Sequence, residues 1–181
     1  SGSRRQFYPR YRREDFDGAH GLLRGIHPGD ILLAEDSNEI VGTLAVWDQT
    51  PFKQSRIEGY SGWLRGLRSL CNVYARCRRM PTLPAARQEL RYGTQALVCI
   101  RGDNPEVYSA LLREALMRME TSGRLPLLAA GLHERDPLLP VLKSLPGYGC
   151  DSKVYICHWP DGEAEWRNLD RRPPYIELGA L

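Results

Sequence analysis

The chain has 181 residues, 42% hydrophobic and 26% charged, which is the size of one ordinary domain with enough apolar content to bury a core. That balance excludes wholesale disorder, and no apolar run approaches the roughly 18 residues that a membrane-spanning helix needs. The net charge is only +3, but lysine stands at Lys53, Lys143 and Lys153 alone, so 22 of the 25 basic residues are arginine.

After a basic lead, Arg4 to Arg13, the stretch from Glu14 to Arg24 predicts a helix with Phe16, Ala19, Leu22 and Leu23 on one side. Gly25 and the pair Pro28-Gly29 stop it. Asp30 to Glu35 predicts a strand, Ser37-Asn38 a turn and Glu39 to Trp47 a second strand, together a hairpin. From Tyr60 to Arg79 the period changes. Tyr60, Trp63, Leu64, Leu67, Leu70, Cys71, Tyr74 and Cys77 recur at steps of three and four. Arg65, Arg68, Asn72, Arg76 and Arg79 take the opposite stripe. This is an amphipathic helix whose apolar side is expected in a core or against another module.

Met80 to Ala86 is a proline-containing loop. Glu89 to Ile100 predicts a long strand in which Gly93 would tolerate a bulge. Asp103 or Asn104 caps a helix that starts at Pro105, runs to about Glu120 along Val107, Tyr108, Leu111, Leu112, Ala115, Leu116 and Met119, and ends at Gly123. Leu125 to Leu132 predicts a strand, Pro137 to Leu145 a short helix and Lys153 to Trp159 a last strand. The alternating periods predict one mixed α/β (α+β) domain over residues 4–160, its twisted, mostly antiparallel sheet flanked by helices. Residues 161–181 form a polar, then proline-rich tail that packs on the domain, with Tyr175-Ile176-Glu177-Leu178 as an edge segment.

Three stretches carry a resemblance: the hairpin ILLAEDSNEIVGTLAVWDQTPFKQ, the strand-to-helix unit ALVCIRGDNPEVYSALLREAL, and LPLLAAGLHERDPLLPVLKSLPGYG. In this order the elements resemble the GNAT family of N-acetyltransferases over roughly residues 10–160. Trp47-Asp48-Gln49, Phe52-Lys53-Gln54 and the ending RRPPYIELGAL resemble the C-terminal half of bacterial proteins that carry two GNAT modules in tandem. Ser1-Gly2-Ser3 has no initiator Met and reads as a tag remnant, and the resemblance implies an N-terminal GNAT module upstream as a partner.

The resemblance implies a GNAT fold and an acetyl-coenzyme A (acetyl-CoA)-dependent N-acetyltransferase whose amine acceptor the sequence does not name. It implies that acetyl-CoA lies against the bulged strand, with Cys99, Arg101, Gly102, Asp103 and Asn104 as cofactor-binding positions. The pantetheine arm would pair with the strand backbone, and the pyrophosphate would sit on the amides that open the next helix. This sequence departs from the family pattern twice. The usual phosphate loop, Gln/Arg-x-x-Gly-x-Gly/Ala, is replaced by Arg101-Gly102-Asp103-Asn104-Pro105-Glu106, where Pro105 lacks an amide donor and two carboxylates bring negative charge. The family's tyrosine acid falls near Leu142, which has no proton to give, while Tyr148 matches a buried aromatic. The alternative is a noncatalytic GNAT-like binding or regulatory domain that supports a catalytic module.

Glu89 is the candidate general base, its other reading being a surface carboxylate paired with Arg87 or Arg91. Asp48, the second candidate catalytic residue, could line a pocket with Trp47 and Gln49 or simply cap a turn. His133-Glu134-Arg135-Asp136 has the residue types of a metal or proton site but not the spacing, so no metal is expected and Asp136 is read as a helix cap. His20, His27 and His158 are read as structural. Cys71, Cys77, Cys99, Cys150 and Cys157 form no CxxC pair and are read as reduced, mostly buried thiols of a cytoplasmic protein. The arginine stripe is read as a solvated face, with nucleic acid and membranes not expected as partners.

Overall fold

The computed structural model describes residues 4–16, 21–78, 80 and 82–180. Four strands form one sheet in the order β1-β2-β3-β4. β1 (Ile31–Asp36) and β2 (Glu39–Asp48) make the expected hairpin, closed at Ser37 and Asn38 with φ of 51° and 64°. Two left-handed residues in succession match the twist of the flanking strands. β3 (Gly93–Ile100) runs antiparallel to β2, whereas β4 (Leu128–Ala129) pairs with it in parallel over only two residues.

The bulge lies on β3, but not at Gly93. Thr43 pairs with Cys99 and Ala45 with Ala96, so Leu97 and Val98 together oppose Leu44. Leu97 takes φ 55°, a left-handed conformation that costs a branched residue energy. The extra residue reverses the alternation of the strand. Ala96 and Leu97 pack on one face with Leu23, Ile26 and Trp47, while Val98 and Ile100 pack on the other. Gly93 is required for a different reason, since a Cβ there would lie 2.6 Å from Val46 Cγ1.

That second face is covered by helix α2 (Pro105–Ser122) through Tyr108, Leu111, Leu112, Ala115 and Met119. The Asn104 side chain caps it and Gly123 ends it at φ 62°, both as the sequence implies. Tyr108 is fully buried and donates to Gln95 Oε1 at 3.0 Å. Leu138 and Tyr175 complete this core.

Several expectations are corrected. Residues 14–24 do not form one helix: Arg13–Asp15 is a 3-10 turn, and the Leu23 amide bonds to Asp15 O, eight residues back, which a continuous helix cannot do. Ala19 and His20, and Arg79 of the expected arginine stripe, lie outside the described residues. The amphipathic helix is α1 (Leu64–Cys77), delayed by Gly62 at φ 58°, and its apolar stripe is not buried. Trp63 is 71%, Leu70 65% and Tyr74 61% exposed, and Ala75 is the buried residue of this helix.

The strand expected from Glu89 starts at Gly93, because Arg87, Gln88 and Leu90 bond instead to the backbone of Ser55 and Ile57. The strand expected over 125–132 shrinks to β4. The stretch 153–159 is exposed and is no strand; it leads to the short helix α4 (Glu163–Arg167), which follows the short helix α3 (Leu139–Lys143) in the chain. Cys77, Cys150 and Cys157 are exposed rather than buried, as is Tyr148.

Candidate functional site

The positions expected to bind a cofactor lie where β3 hands over to α2, and their side chains and amides already have partners within the chain. Arg101–Asp103 forms a 3-10 turn with Gly102 at φ 65°. The Asn104 carboxamide oxygen accepts from the amides of Glu106 at 2.8 Å and Val107 at 3.4 Å, and Pro105 has no amide. The free donors that make a helix N-terminus an anion site are therefore spent on the cap. Asp103 receives Arg5 at 2.7 Å and Arg4 at 3.5 Å. Arg101 pairs with Glu39 in solvent, a bond that holds the Glu39 carboxyl below its usual range. Cys99, the remaining position, is half-buried on β3.

The two candidate catalytic carboxylates also have local roles. Asp48 Oδ1 accepts from the Thr50 amide at 3.0 Å and its hydroxyl at 2.6 Å, and Oδ2 faces Arg124 at 3.7 Å. Asp48 is thus a turn cap at the rim of a cavity of about 180 Å³ that also takes in Asp30, Arg118 and Arg124. Glu89 is exposed and sits in an isolated bridge with Arg56, outside β3. Asp136 is buried, accepts from the Leu138 amide at 2.9 Å and turns the chain toward α3. Leu142 packs on the core, where the family pattern wants an acid. Among the described residues, no three His, Cys, Asp or Glu side chains converge as metal ligands.

Sequence reasoning misses two constellations. Arg5, buried to 6% exposure, forks onto Asp136 at 2.9 and 3.0 Å while holding Asp103. Burial opposes its charge, but the bonds to Asp136 and Asp103 prevail and raise its pKa.

The other constellation lies at the bulge. The C-terminal segment runs back along β3, and Glu177 Oε2 accepts from the Leu97 amide at 3.0 Å, the Tyr11 hydroxyl at 2.7 Å and the Tyr175 hydroxyl at 2.9 Å. The Val98 amide points at the Tyr175 hydroxyl, 3.4 Å away. Tyr8 stacks obliquely on Tyr175, with ring centroids 4.7 Å apart, and donates to Val98 O. Burial first, and then the Glu177 carboxylate, raise the phenols of Tyr11 and Tyr175 well above the ordinary range; burial and Cys99 do the same for Tyr8. All three therefore remain protonated donors at neutral pH. Glu177 is 6% exposed, and among the described residues its Oε1 has no partner.

Further along the segment, Gln49 Nε2 donates to Gly179 O at 2.7 Å and Gly179 lies flat on Trp47. The segment Tyr175-Ile176-Glu177-Leu178, expected from the sequence to pack on the domain, does so with Tyr175 and Glu177 buried, but its side-chain partners are not legible in the sequence. Among the described residues, no helix is long and apolar enough to cross a membrane. The groove beside the bulge is thus built from β3, the N-terminal lead and the residues after β2, and the chain's own end fills it. No protein family, curated protein or solved structure matches this chain.

Proposed function

We propose that this chain is a noncatalytic GNAT-like module of a cytoplasmic protein. Its role is to support an N-terminal GNAT module that transfers an acetyl group from acetyl-CoA to an amine. One observation carries this reading: on the bulged strand, whose backbone the resemblance pairs with the pantetheine arm, the Leu97 and Val98 amides are occupied by Glu177 and Tyr175. The amides that would take the pyrophosphate are likewise occupied by Asn104. The residues present do not fit the cofactor. An active acetyltransferase would require the tail out of the groove and the α2 cap broken.

The uncovered apolar side of α1 favours a partner module. Trp63, Leu67, Leu70 and Tyr74 face solvent, while Arg68 and Asn72 hold the chain at Leu83. Calorimetric titration with acetyl-CoA tests the proposal. The expected result is no saturable binding tighter than about 100 μM, equivalent to less than about 5.5 kcal/mol. A dissociation constant in the low micromolar range refutes it.

A further inference from the structure

We infer that the groove beside the β3 bulge is a recognition site for an extended, carboxylate-bearing peptide of the form Tyr-x-Glu-x-Gly. The segment from Tyr175 to Ala180 is its exchangeable intramolecular ligand. The inference stands on the contacts of the segment and holds whether or not the groove ever admits acetyl-CoA.

The segment is read by side chains, as a ligand is, rather than by a strand ladder. Its backbone joins the body through a single bridge, Gln6 with Pro174, after which the Tyr175 amide donates to Gln6 O at 2.8 Å. The later contacts fall on side chains of the segment, except that Gln49 binds the Gly179 backbone carbonyl. Tyr175 meets Tyr8 and the Val98 amide, and Glu177 meets Tyr11 and the Leu97 amide. Gly179 meets Trp47 and Gln49. Trp47 is buried and pinned by its Nε1, which donates to Arg24 O at 2.8 Å, so this position reads the absence of a side chain.

Two features make the occupant exchangeable. Residues 146–161 and 163–172 are exposed throughout, so the segment hangs on a long surface connector rather than on a packed element. The docked state also carries a standing penalty, because one oxygen of the buried Glu177 carboxylate gave up water and gained no partner. Being tethered in the same chain, the segment binds at an effective concentration that hides its intrinsic affinity as a ligand.

The test uses the full chain with a protease site inserted between Asp151 and Ser152, purified folded and then cut. A fluorescent peptide of residues 168–181 is added and its anisotropy followed, with the same peptide carrying Glu177→Gln or Gly179→Ala as controls. The expected result is a nicked protein that stays folded, loses its C-terminal fragment on dilution and binds the labelled peptide saturably. Each altered peptide should bind at least tenfold more weakly. Unfolding on loss of the fragment, a fragment that never exchanges, or binding indifferent to both substitutions overturns the inference. Competition by acetyl-CoA for the labelled peptide would refute the noncatalytic reading and leave this one intact.

Discussion

Gly179→Ala is the sharpest perturbation the structure offers. An ideal Cβ at this position would lie 2.6 Å from Trp47 Cζ3 and closer still to Cε3. The indole cannot retreat, being 2% exposed and tied through Nε1 to Arg24 O. The backbone cannot retreat without breaking the 2.7 Å bond from Gln49 to Gly179 O. Forcing an extra methyl into such a packed contact costs about 1–3 kcal/mol. For a chain of this length each kcal/mol lowers Tm by about 2–4 °C, so a fall of about 2–12 °C is expected. Urea unfolding should show a lower midpoint with an unchanged slope, and limited proteolysis should remove the tail faster. Gly149→Ala is the control, since a Cβ there meets nothing within 4 Å, and it should stay within about 0.5 kcal/mol of the parent. A Gly179→Ala protein with the parent's midpoint and the parent's tail protection would refute the docking geometry.

Arg5→Ala should cost about 3–5 kcal/mol in urea unfolding, because it strands the buried Asp136 and Asp103 carboxylates; a loss below about 1 kcal/mol contradicts the network. Tyr8, Tyr11 and Tyr175 have folded pKa values above their ordinary 10, so the folded state keeps protons that the unfolded state releases. Their stability contribution is complete below pH 10 and drains away as pH rises above it. Urea midpoints from pH 9 to 11.5 should fall steeply, and Tyr11→Phe should flatten the fall; a flat parent profile contradicts the burial. Leu67→Ala should change the stability of this chain by less than about 0.5 kcal/mol, since the side chain is 43% exposed. Asn72→Ala should cost about 1 kcal/mol through Leu83, and the reverse order in thermal melts would mean that the apolar stripe is buried after all.

Where the determinants are local, the sequence is a good guide. Asn104, Pro105 and Gly123 bracket α2 because each acts on backbone within four residues of itself. Ser37-Asn38 sets the hairpin for the same reason. The bulge is different. Nothing near Leu97 asks for a left-handed residue; what rewards it is a carboxylate 80 positions downstream that accepts the Leu97 amide. Arg5 reads as one of many solvated arginines because its partners stand 98 and 131 positions away. Leu23 breaks the expected N-terminal helix by bonding to Asp15, a choice its helical spacing does not record. A site assembled from chain ends leaves its partners unmarked: Tyr175-Ile176-Glu177-Leu178 reads only as a segment that packs on the domain.

Helix α1 marks the other boundary of what periodicity can say. A stripe at steps of three and four states that a helix has two sides, not which side the rest of the chain takes. Here the chain takes the polar side: Asn72 exchanges two hydrogen bonds with Leu83 and Arg68 adds a third. The apolar side stays in water, and each large residue on it forgoes about 1.5–3 kcal/mol that burial would return. Tyr60, at the head of the same stripe, bonds to Pro84 O and so belongs to the polar attachment rather than to the apolar face. An element attached by its polar residues and displaying its apolar ones is the arrangement a module needs when its partner lies outside it. The uncovered side of α1 accords with the proposed supporting role, because Trp63, Leu70 and Tyr74 remain exposed for a partner to cover.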